Sequence, residues 1–248
     1  MQLDPPKPQS PAKARRAPSA PKSTEFLPTY FRSGRPTGHA FPRRRVHQLG
    51  LWHRTISCWI VRAGGGRHPS LVLQERHPDQ DAWPGRLDTT SAGHLVLGET
   101  DPLREIEEEL GVRPDPAELT FLGVRRYDGV SAPGQIDREL QETYLWINDL
   151  PLDAYRLQPD EVTALVEIAL PVVRELWLIE SAPAEAIRRP SKGRAKSVRV
   201  TLEAFVPETD RASLKVANAA QTILEGRRPA LPLREWGLDP ILPLSRRR

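Results

Sequence analysis

Cysteine, methionine and aromatic residues are scarce in this chain of 248 residues, which has one cysteine, one methionine and 6% aromatic residues. The single cysteine, Cys58, excludes an internal disulfide framework and a zinc site built from cysteines. The longest nearly apolar stretch, residues 164–173, contains a glutamate and a proline and is too short to cross a bilayer. The first six residues lack the apolar segment of a secretory signal. We therefore expect a cytoplasmic protein with no membrane partner.

Charge is distributed unevenly along the chain. Residues 1–45 contain ten Lys and Arg residues and two acidic residues, whereas the remainder contains 26 basic and 30 acidic residues. Residues 1–31 are rich in proline and basic residues and have little to bury, so we predict a disordered arm. A basic arm can bind nucleic acid, but no aromatic residue lies among the charges before Phe26 to stack on a base. A solvated tail is the favoured interpretation, and we do not expect a nucleic-acid partner.

The pattern of apolar residues predicts strands with helices at separate points. The β-branched and aromatic run Arg54–Val61, a glycine turn and the run Ser70–Glu75 predict a hairpin. Further strands are predicted at residues 120–127, 139–147, 162–170 and 198–206, and helices at residues 171–179 and 210–225. This order favours a single α/β sandwich with a mixed sheet over a doubly wound sheet.

Composition divides the chain into three parts. The disordered basic arm spans residues 1–31, and a central domain spans residues 32–182. The C-terminal extension spans residues 183–248; it starts with a basic loop that includes residues 188–199 and contains the last predicted strand and helix.

The sharpest feature is a short acidic helix predicted over residues 101–110. Glu105, Glu108 and Glu109 are spaced at i, i+3 and i+4, so a helix places all three on one face. Like charges packed in this way repel each other. A hard divalent cation such as Mg²⁺ or Mn²⁺, which prefers oxygen ligands, would remove that repulsion. The alternative is an acidic face that is simply solvated.

This helix belongs to a longer motif. Gly93, Glu99 and the run Arg104–Val112 resemble the Nudix box, G-x5-E-x7-R-E-U-x-E-E-x-G-U, in which U is aliphatic, and every fixed residue is present. The resemblance implies that residues 32–182 are a Nudix hydrolase domain, a Nudix-type α/β/α sandwich. It also implies hydrolysis of a diphosphate linked to another moiety, for example a nucleoside diphosphate derivative, with Mg²⁺ or Mn²⁺ as cofactor.

The resemblance also assigns roles to residues. Those implied for catalysis are Glu105, Glu108 and Arg104, of which the arginine orients a glutamate by a charge-assisted hydrogen bond. Those implied for metal binding are Glu105, Glu108, Glu109 and the carbonyl group of Gly93.

The motif departs from the family pattern at one point. Four residues separate Glu99 from Arg104, whereas the family has seven. Three residues are almost one helical turn. We therefore expect Glu99 and the carbonyl of Gly93 to be misplaced relative to the three helical glutamates, and catalysis to be weakened.

A wider set of short motifs resembles the branch of the family that includes type I isopentenyl-diphosphate isomerases. These motifs are Gly34–Gly38, Arg45–His47, Gly50–His53, Trp83–Gly85, Ser91–His94 and Ile136–Glu139. In that branch a metal is held by histidines and carboxylates, and the matching positions are His47, His53, His94, Asp137, Glu139 and Glu109. The isomerases have a catalytic cysteine where this chain has Ala92. Since moving a proton on an allylic carbon requires an acid and a base, alanine argues against isomerisation.

Several points stay open at this stage. The proton acceptor for hydrolysis is either one of the box glutamates or one of two glutamates later in the chain, Glu139 and Glu142. Additional candidates for metal binding or base catalysis are Glu99, Glu139, Glu142, His94 and His53. The alternatives to hydrolysis are an isomerase-like enzyme and a non-catalytic binding module with a Nudix fold. The sequence identifies neither the diphosphate substrate nor the oligomeric state.

Overall fold

The computed structural model describes residues 25–64, 68–80, 82–179 and 183–229. The strands are β1 (Phe26–Tyr30), β2 (Pro36–Pro42), β3 (Trp52–Arg62), β4 (Ser70–Arg76), β5 (Leu87–Asp88), β6 (Ser91–His94), β7 (Leu119–Ala132), β8 (Gln135–Ile147), β9 (Val162–Ala169), β10 (Ala184–Pro190) and β11 (Lys196–Val200). The helices are α1 (Arg43–Leu49), α2 (Arg104–Leu110), α3 (Leu170–Leu178) and α4 (Ala212–Leu224). None of these helices is both long and apolar enough to cross a bilayer.

Strand β3 is the centre of the sheet. The sheet runs in the order β11-β10-β9-β4-β3-β1-β2, and β6 and β8 also pair with β3. Strands β3 and β8 are parallel, from His53 opposite Glu139 to Val61 opposite Ile147, whereas β6 is antiparallel to β3. Because β3 is covered on both faces, its sequence is a continuous run of buried residues instead of an alternating one.

Two apolar cores lie on the two faces of the sheet. Ile56, Cys58 and Ile60 of β3 belong to the core that includes residues of α2. Trp59 and Val61, which point to the opposite face, belong to the core that includes residues of α3 and α4. The molecule is therefore an α/β/α sandwich with a mixed sheet, and this confirms the predicted fold class.

The local predictions have mixed outcomes. The hairpin is confirmed, with Ile60 of β3 opposite Val72 of β4. Helix α2 begins at Arg104, three residues later than predicted, and ends at Gly111 in the left-handed conformation with φ 68°. The predicted strand over residues 198–206 is the shorter β11, which forms a hairpin with β10 inside the predicted basic loop.

Two elements near the N-terminus differ from the expectation. Residues 26–30, which the sequence assigned to the arm, form β1 and pair with β2 and β3, and Leu27 is fully buried. The rest of the predicted arm, residues 1–24, lies outside the described residues. Helix α1 was not predicted, because its seven residues begin with three arginines and bury only Val46.

The C-terminal extension packs on the same core as the central domain. Small residues such as Val216 and Ala217 form the buried face of α4, which lies in the core shared with α3. The backbone N–H of Val206 donates a hydrogen bond to the carbonyl of Leu87 at 2.8 Å. These contacts bring residues 206–210 to the edge of the site described below.

Candidate functional site

Four elements bring three histidines and two carboxylates together. His47 comes from α1, His53 from the start of β3, His94 from the end of β6, and Asp137 and Glu139 from β8. The three imidazole centroids are 5.0 to 5.2 Å apart. We call these five residues the histidine group. Within it, ligand atoms of two overlapping sets lie within 4.8 Å of one another, close enough to share one metal ion.

The protonation state of His53 leaves a lone pair facing the carboxylates. Its Nδ1 is 2.9 Å from the carbonyl of Leu51, which can only accept, so Nδ1 carries the proton. Nε2 then lies 3.8 Å from Oδ1 of Asp137 and 3.9 Å from Oε1 of Glu139, distances too long for hydrogen bonds. Nε2 of His53 and Oδ1 of Asp137 are both buried and have no hydrogen-bond partner among the described residues.

Burial keeps two of the histidines in the neutral form that binds cations. Burial lowers the pKa of His53, and burial together with neighbouring positive charge lowers that of His47 to about 4. Both imidazoles are therefore neutral at pH 7. Burial and the adjacent charge of Glu139 raise the pKa of Asp137. Neutral imidazoles beside two crowded carboxyl groups fit a divalent metal ion, which would supply the missing positive charge.

Glu139 is held in one orientation. Its Oε2 accepts hydrogen bonds from Nε2 of Gln141 at 2.6 Å and from Oγ1 of Thr55 at 3.1 Å. The other oxygen, Oε1, is the one that faces His53. Such support from neighbouring side chains is typical of metal-binding carboxylates.

The box helix carries a second polar group, centred on Arg104. The guanidinium donates to Oε1 of Glu105 and to Oε2 of Glu108, each at 2.9 Å. Its Nη2 also lies 3.5 Å from Oε2 of Glu99, whose Oε1 accepts the backbone N–H of Asp101. We call these glutamates and Arg104 the box group.

The shortened connection leaves Glu99 and Gly93 next to the box helix, so the expected misplacement is wrong; the effect on catalysis stays a prediction. A Cβ atom added at Gly93 would overlap with the side chain of Glu105, which shows how closely β6 approaches the helix. Oε2 of Glu99 lies 3.5 Å from Nη2 of Arg104. The four-residue connection suffices because α2 itself begins only at Arg104.

The two groups lie on opposite faces of β6. Gly93 faces Glu105 on the side of α2, whereas the next residue, His94, has its Nε2 3.2 Å from Nε2 of His47. Sequence reasoning made the box glutamates the principal metal ligands and the histidines additions to them. In the described part of the chain, the sets close enough to hold an ion are those of the histidine group, and Glu105, Glu108 and Glu109 do not form such a set. The metal role of the box glutamates stays a prediction.

Glu142 does not join the histidine group. It is two residues before Tyr144 on β8 and pairs with Ile56, so it lies on the face of α2. Its carboxylate forms an ion pair with Arg54 and accepts a hydrogen bond from the hydroxyl of Tyr144 at 3.0 Å. Only 1% of its side chain is exposed, so Glu142 has little access to a water molecule and is a poor proton acceptor.

Two cavities meet at Asp137. The larger has a volume of about 610 Å³, and its lining includes Arg43, Arg44, Arg76 and His47. The smaller has a volume of about 130 Å³ and is lined by residues of the sheet and of the C-terminal extension, among them Ala92, Arg125, Glu139, Gln141 and Glu208. The arginines and Gln141 were missed from the sequence, because isolated polar residues on separate elements form no local motif.

The smaller cavity contains no thiol. Ala92 lines it, while Cys58 points to the opposite face and is fully buried. Burial raises the pKa of the Cys58 thiol to about 12, so it stays protonated. Cys58 therefore cannot replace the cysteine that position 92 lacks.

The model of the NUDIX domain family matches residues 51–189 of this chain. The chain belongs to the Nudix family. An uncharacterized Nudix hydrolase of Clostridium acetobutylicum is 38% identical over 148 residues, which cover 59% of this chain and 70% of that protein. Nudix hydrolase 3 of Arabidopsis thaliana is 38% identical over 147 residues, but these cover 57% of this chain and only 19% of the plant protein. These findings confirm the predicted class, a Nudix pyrophosphohydrolase.

The chain is also similar in sequence to isomerases of the family. An isopentenyl-diphosphate Delta-isomerase of Escherichia coli is 29% identical over 143 residues, which cover 56% of this chain and 74% of that enzyme. This agrees with the predicted resemblance to both groups of Nudix proteins.

Proposed function

We propose that this Nudix protein hydrolyses a diphosphate linked to another moiety in a reaction that depends on a divalent metal ion, Mg²⁺ or Mn²⁺. The observation that carries the proposal is that ligand atoms of His53, Asp137 and Glu139 lie within 4.8 Å of one another, close enough to share one ion. In the proposed site His53, Asp137 and Glu139 hold the ion, with His47 and His94 beside them. A bound divalent ion would supply Lewis acidity and lower the pKa of a water molecule.

The larger cavity suits the diphosphate. Arg43, Arg44 and Arg76 bring positive charge to its wall, close to Asp137 and His47. Arg43 is held by Glu25 at 3.0 Å, and Arg76 by Asp88 at 3.0 Å, so both guanidinium groups are oriented before the substrate arrives. Guanidinium groups bind phosphate oxygens in pairs, and this arrangement would fix the diphosphate relative to the histidine group.

Glu108 is our candidate for the proton acceptor. Of the two helical glutamates that Arg104 contacts, its side chain is the more accessible, with 22% exposed against 8% for Glu105. A base that takes a proton from water needs such access. Arg104 orients both carboxylates, and Glu105, which packs over Gly93, positions the helix against β6.

The smaller cavity favours hydrolysis over isomerisation of an isoprenoid. Its wall includes Arg125, Gln141 and Glu208, which suit a polar group better than a hydrocarbon. Ala92 offers no proton to an allylic carbon. A binding module without catalysis is the remaining alternative, and it would leave the box glutamates without a chemical role.

A substrate panel tests the proposal. The wild-type protein is incubated with nucleoside diphosphate derivatives and with isopentenyl diphosphate, with Mg²⁺, with Mn²⁺ and with a chelator. We expect cleavage of a diphosphate bond that requires the metal and is lost in Asp137→Asn. The exposed Asp79→Asn serves as the matched control and should retain activity. Migration of the double bond without cleavage would establish the isomerase instead, and binding without either reaction would establish the binding module.

A further inference from the structure

A continuous chain of hydrogen bonds joins the C-terminal extension to the histidine group. The carboxylate of Asp210 accepts two bonds from Arg125, at 3.0 Å from Nε and 2.8 Å from Nη2. Nη1 of Arg125 donates to Oε1 of Gln141 at 2.9 Å. Nε2 of Gln141 in turn donates to Oε2 of Glu139 at 2.6 Å.

The donor and acceptor atoms of these side chains fix the direction of each hydrogen bond in the series. A guanidinium can only donate, so Arg125 forces the amide oxygen of Gln141 to face it. The amide nitrogen must then face Glu139. Because that bond and the one from Thr55 occupy Oε2, it is Oε1 that faces His53, at 3.9 Å from its Nε2. Reversal of the Gln141 amide would place an oxygen against the carboxylate and remove this support.

Arg125 depends on the extension for its own position. Its side chain is only 12% exposed, and it lies 5.4 Å from the ring centroid of Tyr127. Asp210 occupies two of its donor groups in a bidentate pair, the arrangement that fixes a guanidinium most firmly. Asp210 lies two residues before α4, whose buried face anchors it to the core.

We propose that Asp210 positions Glu139 through Arg125 and Gln141, so that the extension is part of the metal site. Asp210 lies 21 residues beyond the end of the family match at residue 189, and the family comparison assigns it no role. This inference rests on the proposed function, because it takes Glu139 as a metal ligand. It makes Asp210, Arg125 and Gln141 positioning residues, none of which belongs to the histidine group.

The test measures Mn²⁺ binding to the full chain without substrate, by electron paramagnetic resonance of the free ion. Loss of an outer partner of a metal ligand typically costs about 10 to 100-fold in affinity. We expect Gln141→Met to weaken Mn²⁺ binding by about tenfold. We expect a smaller loss, about threefold, for Asp210→Asn, in which an amide N–H faces the guanidinium.

The double variant distinguishes positioning from general destabilisation. If Asp210 acts only through Gln141, Asp210→Asn should cause no further loss of affinity when Gln141→Met is already present. Asp210→Glu, which keeps two acceptor oxygens, should bind Mn²⁺ more tightly than Asp210→Asn. Arg125→Lys provides the same test if Asp210→Asn does not fold.

The matched control is Glu167→Gln. Glu167 accepts two bonds of 2.8 Å from Arg62, another part-buried arginine–carboxylate pair, in which neither residue belongs to the histidine group. It should lower the melting temperature without changing Mn²⁺ affinity. Unchanged Mn²⁺ affinity in Asp210→Asn, or losses that multiply in the double variant, would overturn the inference while leaving the proposed function intact. A wild-type protein that binds no Mn²⁺ would overturn the proposed function and this inference with it.

Discussion

The histidine group and the box group lie on the two faces of one short strand, yet their electrostatic states differ. In the box group, Arg104 lies between carboxylates and supplies the positive charge that they need. In the histidine group, burial keeps His47 and His53 neutral, and the buried Nε2 of His53 lies 3.8 Å from Oδ1 of Asp137 with no hydrogen-bond partner for either atom among the described residues.

This difference favours two separate groups for metal binding and for proton transfer, whereas the sequence motif places both roles on the box glutamates. A carboxylate cluster that is already neutralised is stable without a metal, whereas a buried cluster of lone pairs gains strongly from one. The histidine group is therefore the better candidate for the resident ion. The box group, in which 22% of the Glu108 side chain is exposed, is the better candidate for handling water and protons.

The largest effect is expected from the histidine group itself. His53→Gln keeps a donor for the carbonyl of Leu51 but removes the imidazole nitrogen that faces the carboxylates. Because even outer partners of metal ligands cost about 10 to 100-fold, we expect Mn²⁺ affinity to fall by more than about a hundredfold. Isothermal titration with Mn²⁺ measures this. His77→Gln, in the loop after β4, is the control and should bind as wild type.

The second effect concerns the box group. Glu108→Gln removes a charge at nearly constant volume, and we expect turnover to fall by more than about tenfold, a loss of about 1.4 kcal/mol of transition-state stabilisation. Mn²⁺ affinity should change much less than in His53→Gln. Glu107→Gln is the matched control, since Glu107 is on the same helix but is bound to Arg113 at 3.2 Å. Equal turnover in the two glutamate variants would contradict a catalytic role for Glu108.

The third prediction concerns the shortened connection between Glu99 and Arg104. Inserting Glu-Ala-Ala between Leu103 and Arg104 restores the spacing of the family. Since the short connection already holds Glu99 beside Arg104, we now expect the insertion to lower turnover several-fold while Mn²⁺ affinity is kept. Steady-state kinetics at saturating metal measures this. Higher turnover after the insertion would show that the original connection weakens catalysis.

The fourth prediction is on stability without metal. The pKa of His47 is lowered to about 4 in the folded state, below its unfolded value of 6.5. The unfolded chain therefore binds more protons between these values, and the His47 contribution to the free energy of unfolding falls as the pH is lowered from 6.5 to about 4, by at most about 3 kcal/mol.

Asp137, whose pKa is raised, contributes with the opposite sign, so the comparison between variants is the test. His47→Gln should unfold in urea with a weaker loss of stability over this pH range than the wild type. Parallel pH profiles for the two proteins would contradict the burial of a neutral His47.

Local patterns were enough to predict much of the fold. The apolar run of β3, its hairpin with β4 and the glycine that ends α2 are features of neighbouring residues. The motifs also identified His53 and His94 as candidates. What stayed hidden depends on distant pairs: Arg125 and Asp210 are 85 residues apart, and no short pattern connects them.

The separation of the two groups was hidden for a related reason. Gly93 and His94 are adjacent in sequence, and only their places in β6 show that they face opposite sides of the sheet. The same holds for Glu139 and Glu142 on β8, which the sequence treated as equivalent candidates. Strand register had to be known before they could be distinguished.

The most direct test of the account is the ligand set of one bound Mn²⁺ ion, measured by pulsed electron paramagnetic resonance. We predict couplings to histidine nitrogen in the wild-type protein, which persist in Glu108→Gln and are lost or reduced in His53→Gln. A tightly bound ion with oxygen ligands alone, displaced by Glu108→Gln and unaffected by His53→Gln, would place the metal on the box helix and contradict the account.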